Sequence, residues 1–130
     1  MLAKIADPRI EITIGTVVIV VDCLDTPTSA SILSALPIQS SAQTWGHEVY
    51  FSVPVTVEKN ADAKDVIESG EIAFWVEGSC IAIGYGPTPI SNGNEIRLAA
   101  KTNIWDHSRD ELSILSNVNP GDPVNVKQLD

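Results

Sequence analysis

Positive charge is scarce in this sequence. Its 130 residues hold 8 Lys and Arg against 17 Asp and Glu, a net charge of −9. Such a surface repels phosphates, so no nucleic-acid partner is expected, and an anionic membrane surface is disfavoured for the same reason. Cysteine is nearly absent: Cys23 and Cys80 stand alone, each among aliphatics, in "VVDCL" and "GSCIAI". That excludes a disulfide framework. One bridge is the most the chain could form, and two buried free thiols are the expectation. The only histidines are His47 and His107, with no HxxxH or CxxC spacing around them. A metal site needs three or four ligands, so neither a metal nor any other cofactor is expected. GxSxG, P-loop and GxGxxG motifs are absent as well. The longest apolar run, "VVIVV", is far too short to span a bilayer. The N-terminal "MLAKIADPRIEIT" has no apolar stretch leading to a cleavage site, so the protein is expected in the cytoplasm.

What is present is the composition of one globular domain, residues 1–130, with 44% apolar and 19% charged residues. "RIEITI" alternates with the strand period, and "TVVIVVDCL" is β-branched and nearly continuous. Thr26 can cap a helix with Pro27 at its first position, running to Leu36 before Pro37 stops it. "QTWGHEVYFSVPVTVEK" is the clearest strand. It puts Val49, Phe51, Val53, Val55 and Val57 on one face and Glu48, Tyr50, Ser52, Pro54 and Thr56 on the other. Pro54 cannot donate to a ladder, so this strand lies at an edge or carries a bulge. "NADAKDVIESG" reads as a loop with one helical turn, closed by Gly70. "EIAFWV" and "CIAIGY" read as a hairpin around Glu77-Gly78-Ser79. A turn at Asn92-Gly93 precedes a short strand, and "TNIWDH" reads as another. "SRDELSILSNVN" predicts a second helix, capped by Ser108 or Asp110, with Ile114 and Leu115 buried. "PGDPVNVKQL" closes the chain with a turn and a strand. Many closely spaced strands with two helices argue for an antiparallel barrel or sandwich, the helices plugging open barrel ends.

Two segments gather chemistry. "TWGHEVY" offers Thr44, Trp45, Glu48 and Tyr50 as groups that could hold a polar ligand, with Trp45 as a stacking surface. The plainer interpretation is a solvated strand face with Trp45 half buried. "GYGPTPIS" adds the hydroxyls of Tyr85 and Thr88 on a loop stiffened by Pro87 and Pro89. It reads as a barrel corner, and also as a rigid groove wall. Trp45, Glu48, Tyr50 and the Tyr85–Pro89 loop are expected to line one groove. Glu48 is the candidate general base and Cys80 a candidate nucleophile, although an apolar strand favours an inert thiol.

The same residues carry a resemblance. Thr44-Trp45-Gly46, Glu48, Tyr50-Phe51, Pro54, Gly70, Ile72-Ala73, Trp75, Gly86-Pro87-Thr88-Pro89, Ser91 and Glu95-Ile96 resemble a family of small uncharacterised prokaryotic proteins with a cyclophilin-like fold. The resemblance spans about residues 10 to 126. It departs from the family at His47, Val76 and Gly84, where relatives carry an acidic residue, a proline and an aromatic. It implies a closed β-barrel of about eight strands capped by two short helices. It does not imply prolyl isomerase activity. True cyclophilins carry a Phe-His-Arg phrase, and the corresponding "VYFSVP" has no arginine to hydrogen-bond the twisting amide. A module binding a small molecule or short peptide is the leading expectation. An enzyme acting on an amide or carboxylate, and an assembly protein pairing copies of itself through an edge strand, are the alternatives.

Overall fold

The computed structural model describes residues 8–108 and 110–129. The first two apolar segments form a hairpin of β1 (Arg9–Ile14) and β2 (Val17–Cys23). Alternation sends Ile10, Ile12, Ile14, Ile19 and Val21 to the interior, each fully buried. The helix α1 (Pro27–Ala35) follows, and the Thr26 side chain accepts from the Ser29 backbone N–H at 3.1 Å, as the sequence predicts. Next come β3 (Ile38–Ser41), β4 (Gln43–Thr44), β5 (Glu48–Ser52), β6 (Lys64–Ile67), β7 (Glu71–Trp75), β8 (Cys80–Gly84) and β9 (Ile96–Ser108). A 3-10 helix (Leu112–Asn117) leads to β10 (Pro123–Gln128).

The strands run in the order β3-β10-β1-β2-β9-β7-β8-β5-β4, with β6 paired to β9. The two ends of that order approach each other: Ser40 Oγ on β3 donates to the Ser52 carbonyl on β5 at 2.7 Å. Nine strands thereby curl into a nearly closed barrel. Its interior is filled by side chains including Val49, Phe51, Phe74, Ile81, Ile83 and Trp105, with Ile32 of α1 and Leu112 and Leu115 of the 3-10 helix joining them. A second, smaller core of Ile67, Ala73, Ala82, Ile96 and Leu98 lies on the other face of β7 and β8. There β6 and the first half of β9 cross the outside of the barrel. Gly84 is needed for that crossing, because a Cβ at this position would stand 2.5 Å from Ile96 Cγ2.

Several elements differ from the sequence expectation. The barrel's nine strands agree with the expected closed barrel of about eight, but β6 is an additional strand off that path. "NADAKDVIESG" contains β6 instead of a helical turn, because Val66 and Ile67 pair with Arg97 and Ile96 of a distant strand. The two short strands expected after Asn92 are one strand of 13 residues, kept continuous through shifts of register against both β6 and β7. The "QTWGHEVYFSVPVTVEK" strand is broken by a turn after Thr44 and leaves the ladder after Ser52, before Pro54. Val53 and Val55 remain buried beyond it. The second helix is a 3-10 helix capped by Glu111, not Ser108 or Asp110. Its three-residue period turns Leu112 and Leu115 inward and leaves Ile114 43% exposed.

Candidate functional site

The site begins at a tight turn. Trp45 and Glu48 exchange backbone hydrogen bonds of 2.9 and 3.2 Å, and Gly46 takes the first central position at φ +59°. A two-residue hairpin turn of this kind needs a glycine there. The register on either side fixes the faces. Thr44 pairs with Val49 and Gln43 with Tyr50, so Thr44 shares the interior-facing side of Val49, while Trp45, Glu48 and Tyr50 share the outer side. On β8, Gly84 stands opposite Glu48, Ala82 opposite Tyr50 and Cys80 opposite Ser52, and β7 sets Trp75 opposite Cys80. Against β6, the run of β9 between Arg97 and Thr102 spans five steps while β6 takes two, from Val66 to Lys64. The extra residues bulge, bringing Ala99 and Ala100 to the outer face of the sheet.

These residues enclose a cavity of about 220 Å³, lined by Trp45, Glu48, Tyr50, Trp75, Cys80, Ala82, Ala99, Ala100 and Thr102. Three alanines at the lining leave space that larger side chains would fill. Glu48 is the anomaly. It is only 7% exposed, and its Oε1 is buried with no hydrogen-bond partner. Burial raises its carboxyl from 4.5 to about 7. The Cys80 thiol is also pushed up, first by burial and then by the Glu48 charge. It donates to the Gly78 carbonyl at 3.3 Å. Thr102 Oγ1 donates to the Lys64 carbonyl at 2.9 Å, which fixes the hydroxyl's orientation. Among the described residues, no lysine, arginine or histidine lines the cavity.

Trp45, Glu48 and Tyr50, named from the sequence, meet in this cavity; Thr44, Tyr85 and Thr88 do not line it. Thr44 faces away for the register reason given. Tyr85 packs against the main core, stacks on His47 with ring centroids 5.1 Å apart, and burial raises its phenol. The Thr88 hydroxyl donates to the Arg97 carbonyl, and its backbone N–H donates to Ser91 Oγ at 2.9 Å. The Gly84–Pro89 stretch therefore packs the barrel corner against the Trp45–Glu48 turn. His47 N–H donates to the Pro87 carbonyl at 3.0 Å, and a Cβ on Gly86 would stand 2.5 Å from His47 Nδ1. Two prolines and two glycines at one strand end serve that close packing. The expected groove shared with this loop is thus replaced by a cavity one strand-face away.

Sequence reasoning missed Trp75, Ala82, Ala99, Ala100 and Thr102 as lining residues. Cys80 is the free, buried thiol expected, and it lies at the cavity. The alternation of "CIAIG" could have placed Cys80 and Ala82 beside Tyr50, given the pairing partner. Nothing local marks Ala99 and Ala100, because a bulge has no period.

Comparison with known proteins agrees with the geometry. A family model described as cyclophilin-like matches residues 8–127. The solution structure of a hypothetical protein from Archaeoglobus fulgidus superposes with a TM-score of 0.80 at 34% identity, covering 98% of this chain and 99% of that one. No curated protein matches the chain.

Proposed function

The chain belongs to the cyclophilin-like family, and from the cavity on the outside of its barrel we propose that it is a binding module for a small molecule. The observation that carries this reading is Glu48 Oε1, a buried carboxyl oxygen with no partner, at a cavity lined by two tryptophans and a tyrosine. Buried polar groups are almost always satisfied, and an exception asks for a bound group. Aromatic walls around one polar anchor are the usual make-up of a small-ligand site. The volume suits a single-ring molecule or one side chain of a peptide better than a longer peptide.

An enzyme using Glu48 as general base is supported by its titration near neutral pH, the range where such catalysis is efficient. Against it stands the lack, among the described residues, of any cationic lining group to stabilise developing negative charge. Cys80 as nucleophile is disfavoured by its raised thiol. Assembly through an edge has little to work with, since the terminal strands β3 and β4 have four and two residues. Prolyl isomerisation is not proposed: "VYFSVP" lacks the arginine, and its Phe51 lies inside the barrel.

A melting-shift screen against small metabolites tests the reading, because a ligand of the native state raises the midpoint. A hit should lose its shift in Ala99→Leu, which fills the cavity at its exposed rim without touching Glu48. Hits unaffected by Ala99→Leu would place binding elsewhere and refute the site.

A further inference from the structure

We infer that the cavity selects a small organic cation, a primary ammonium or amidinium on a flat or apolar body, with Glu48 as its counter-ion and Trp45, Trp75 and Tyr50 as its walls. This rests on the cavity being a ligand site and goes further by fixing the ligand's charge.

Charge complementarity decides the class. Among the described residues, the single charged group lining the cavity is a carboxylate, and the other titratable lining groups are Tyr50 on the same strand and Cys80 on the neighbouring one. The lining residues contributed by β9 are Ala99, Ala100 and Thr102, and that of β7 is Trp75, none of them charged. An anion would meet Glu48 with nothing to offset the repulsion. A neutral hydroxyl compound could occupy one oxygen of the carboxyl but gains no charge attraction. A cation gains twice: from Glu48, and from aromatic faces, whose negative quadrupoles attract ammonium and guanidinium groups. The donor count fits as well. Glu48 Oε1 accepts nothing from the described residues, and an ammonium brings donors and no acceptors. The Tyr50 side chain has no hydrogen bond to the described protein residues and is placed beside the same space. Of the described cations on the neighbouring strands, Lys64 pairs with Glu71 at 2.8 Å and Arg97 with Glu95 at 2.6 Å, while Lys101, between the lining residues Ala100 and Thr102, is exposed and does not itself line the cavity. Among the described residues, Glu48 therefore has no counter-ion.

The site also couples binding to a proton. Uncharged Glu48 is the stable form of the empty cavity below neutral pH, because burial disfavours the anion. A bound cation favours the anion, so binding below neutral pH releases a proton. Affinity should then rise about tenfold per pH unit on the acid side and level off above about pH 7.

The experiment uses three probes of one shape, benzylammonium, benzyl alcohol and benzoate, titrated calorimetrically into the wild-type chain, Glu48→Gln and Ala99→Leu at pH 5 and pH 8. The expected result is that benzylammonium binds the wild type at pH 8 at least about tenfold tighter than benzyl alcohol, the worth of one charge-assisted contact. Benzoate should not bind. Benzylammonium should weaken by at least tenfold at pH 5 and in Glu48→Gln, and vanish in Ala99→Leu. Benzyl alcohol or benzoate binding as tightly, with loss in Ala99→Leu, would overturn the cation while keeping the cavity as the site. Benzylammonium binding unchanged by Ala99→Leu would overturn both. Failure of benzylammonium to bind the wild type while a neutral ligand does would overturn the inference alone.

Discussion

Glu48 is an ordinary residue in sequence and an unusual one in the fold. Alternation along β5 predicts that it leaves the barrel interior, and it does; alternation cannot say that β6 and β9 then cover it. The consequence is a carboxyl whose folded titration, near 7, lies above its value of 4.5 in the unfolded chain. The sign follows directly. Such a group contributes its full stability below pH 4.5 and loses it as pH rises through about 7, where the buried anion must form. At 1.36 kcal/mol per pH unit the limit is about 3 kcal/mol, and water entering the open side of the cavity brings the expected figure to on the order of 2. Glu48→Gln removes the titration, so it should be stabilised relative to wild type by about that amount between pH 4.5 and pH 8. Urea unfolding at a series of pH values reads this. Parallel stability curves for the two proteins would show that the carboxyl is well solvated.

At the scale of elements, what was legible followed from period and cap. Thr26-Pro27 announces α1, the alternation of "RIEITI" announces β1, and both form where predicted. What was not legible depends on partners far away. β6 exists because Ile67 finds Ile96, and the bulge in β9 exists because the strand must serve β6 on one stretch and β7 on another. The 3-10 helix is a subtler case, since "DELSILSNV" fits both three-residue and α-helical spacing. Its burial makes a clean test. Leu115→Ala should cost about 2–5 kcal/mol by opening a void in the main core, whereas Ile114→Ala should stay within about 0.5 kcal/mol. Chemical denaturation of both variants distinguishes them. Equal losses would mean that this segment winds as an α-helix with both side chains inside.

The whole molecule is a barrel with its candidate site placed outside it. The interior is filled with apolar side chains, leaving chemistry to the face where β6 and β9 cross β5, β7 and β8. No helix among the described residues is long and apolar enough to cross a membrane. The net charge of −9 adds a general preference for cationic over anionic small molecules near the surface, in keeping with the charge of the ligand inferred for the cavity. The resemblance carried by Trp45-Gly46, Glu48 and the Gly86–Pro89 loop is explained in part by architecture. The loop and the turn lock together and hold Glu48 and Trp45 in position. Everything proposed for the protein depends on Glu48 being enclosed and unpartnered. The most direct measurement is a carbon-13 NMR titration of the Glu48 side-chain carboxyl in the unliganded protein. A midpoint near 7 is the predicted result, and a midpoint at the usual glutamate value of about 4.3 would contradict it.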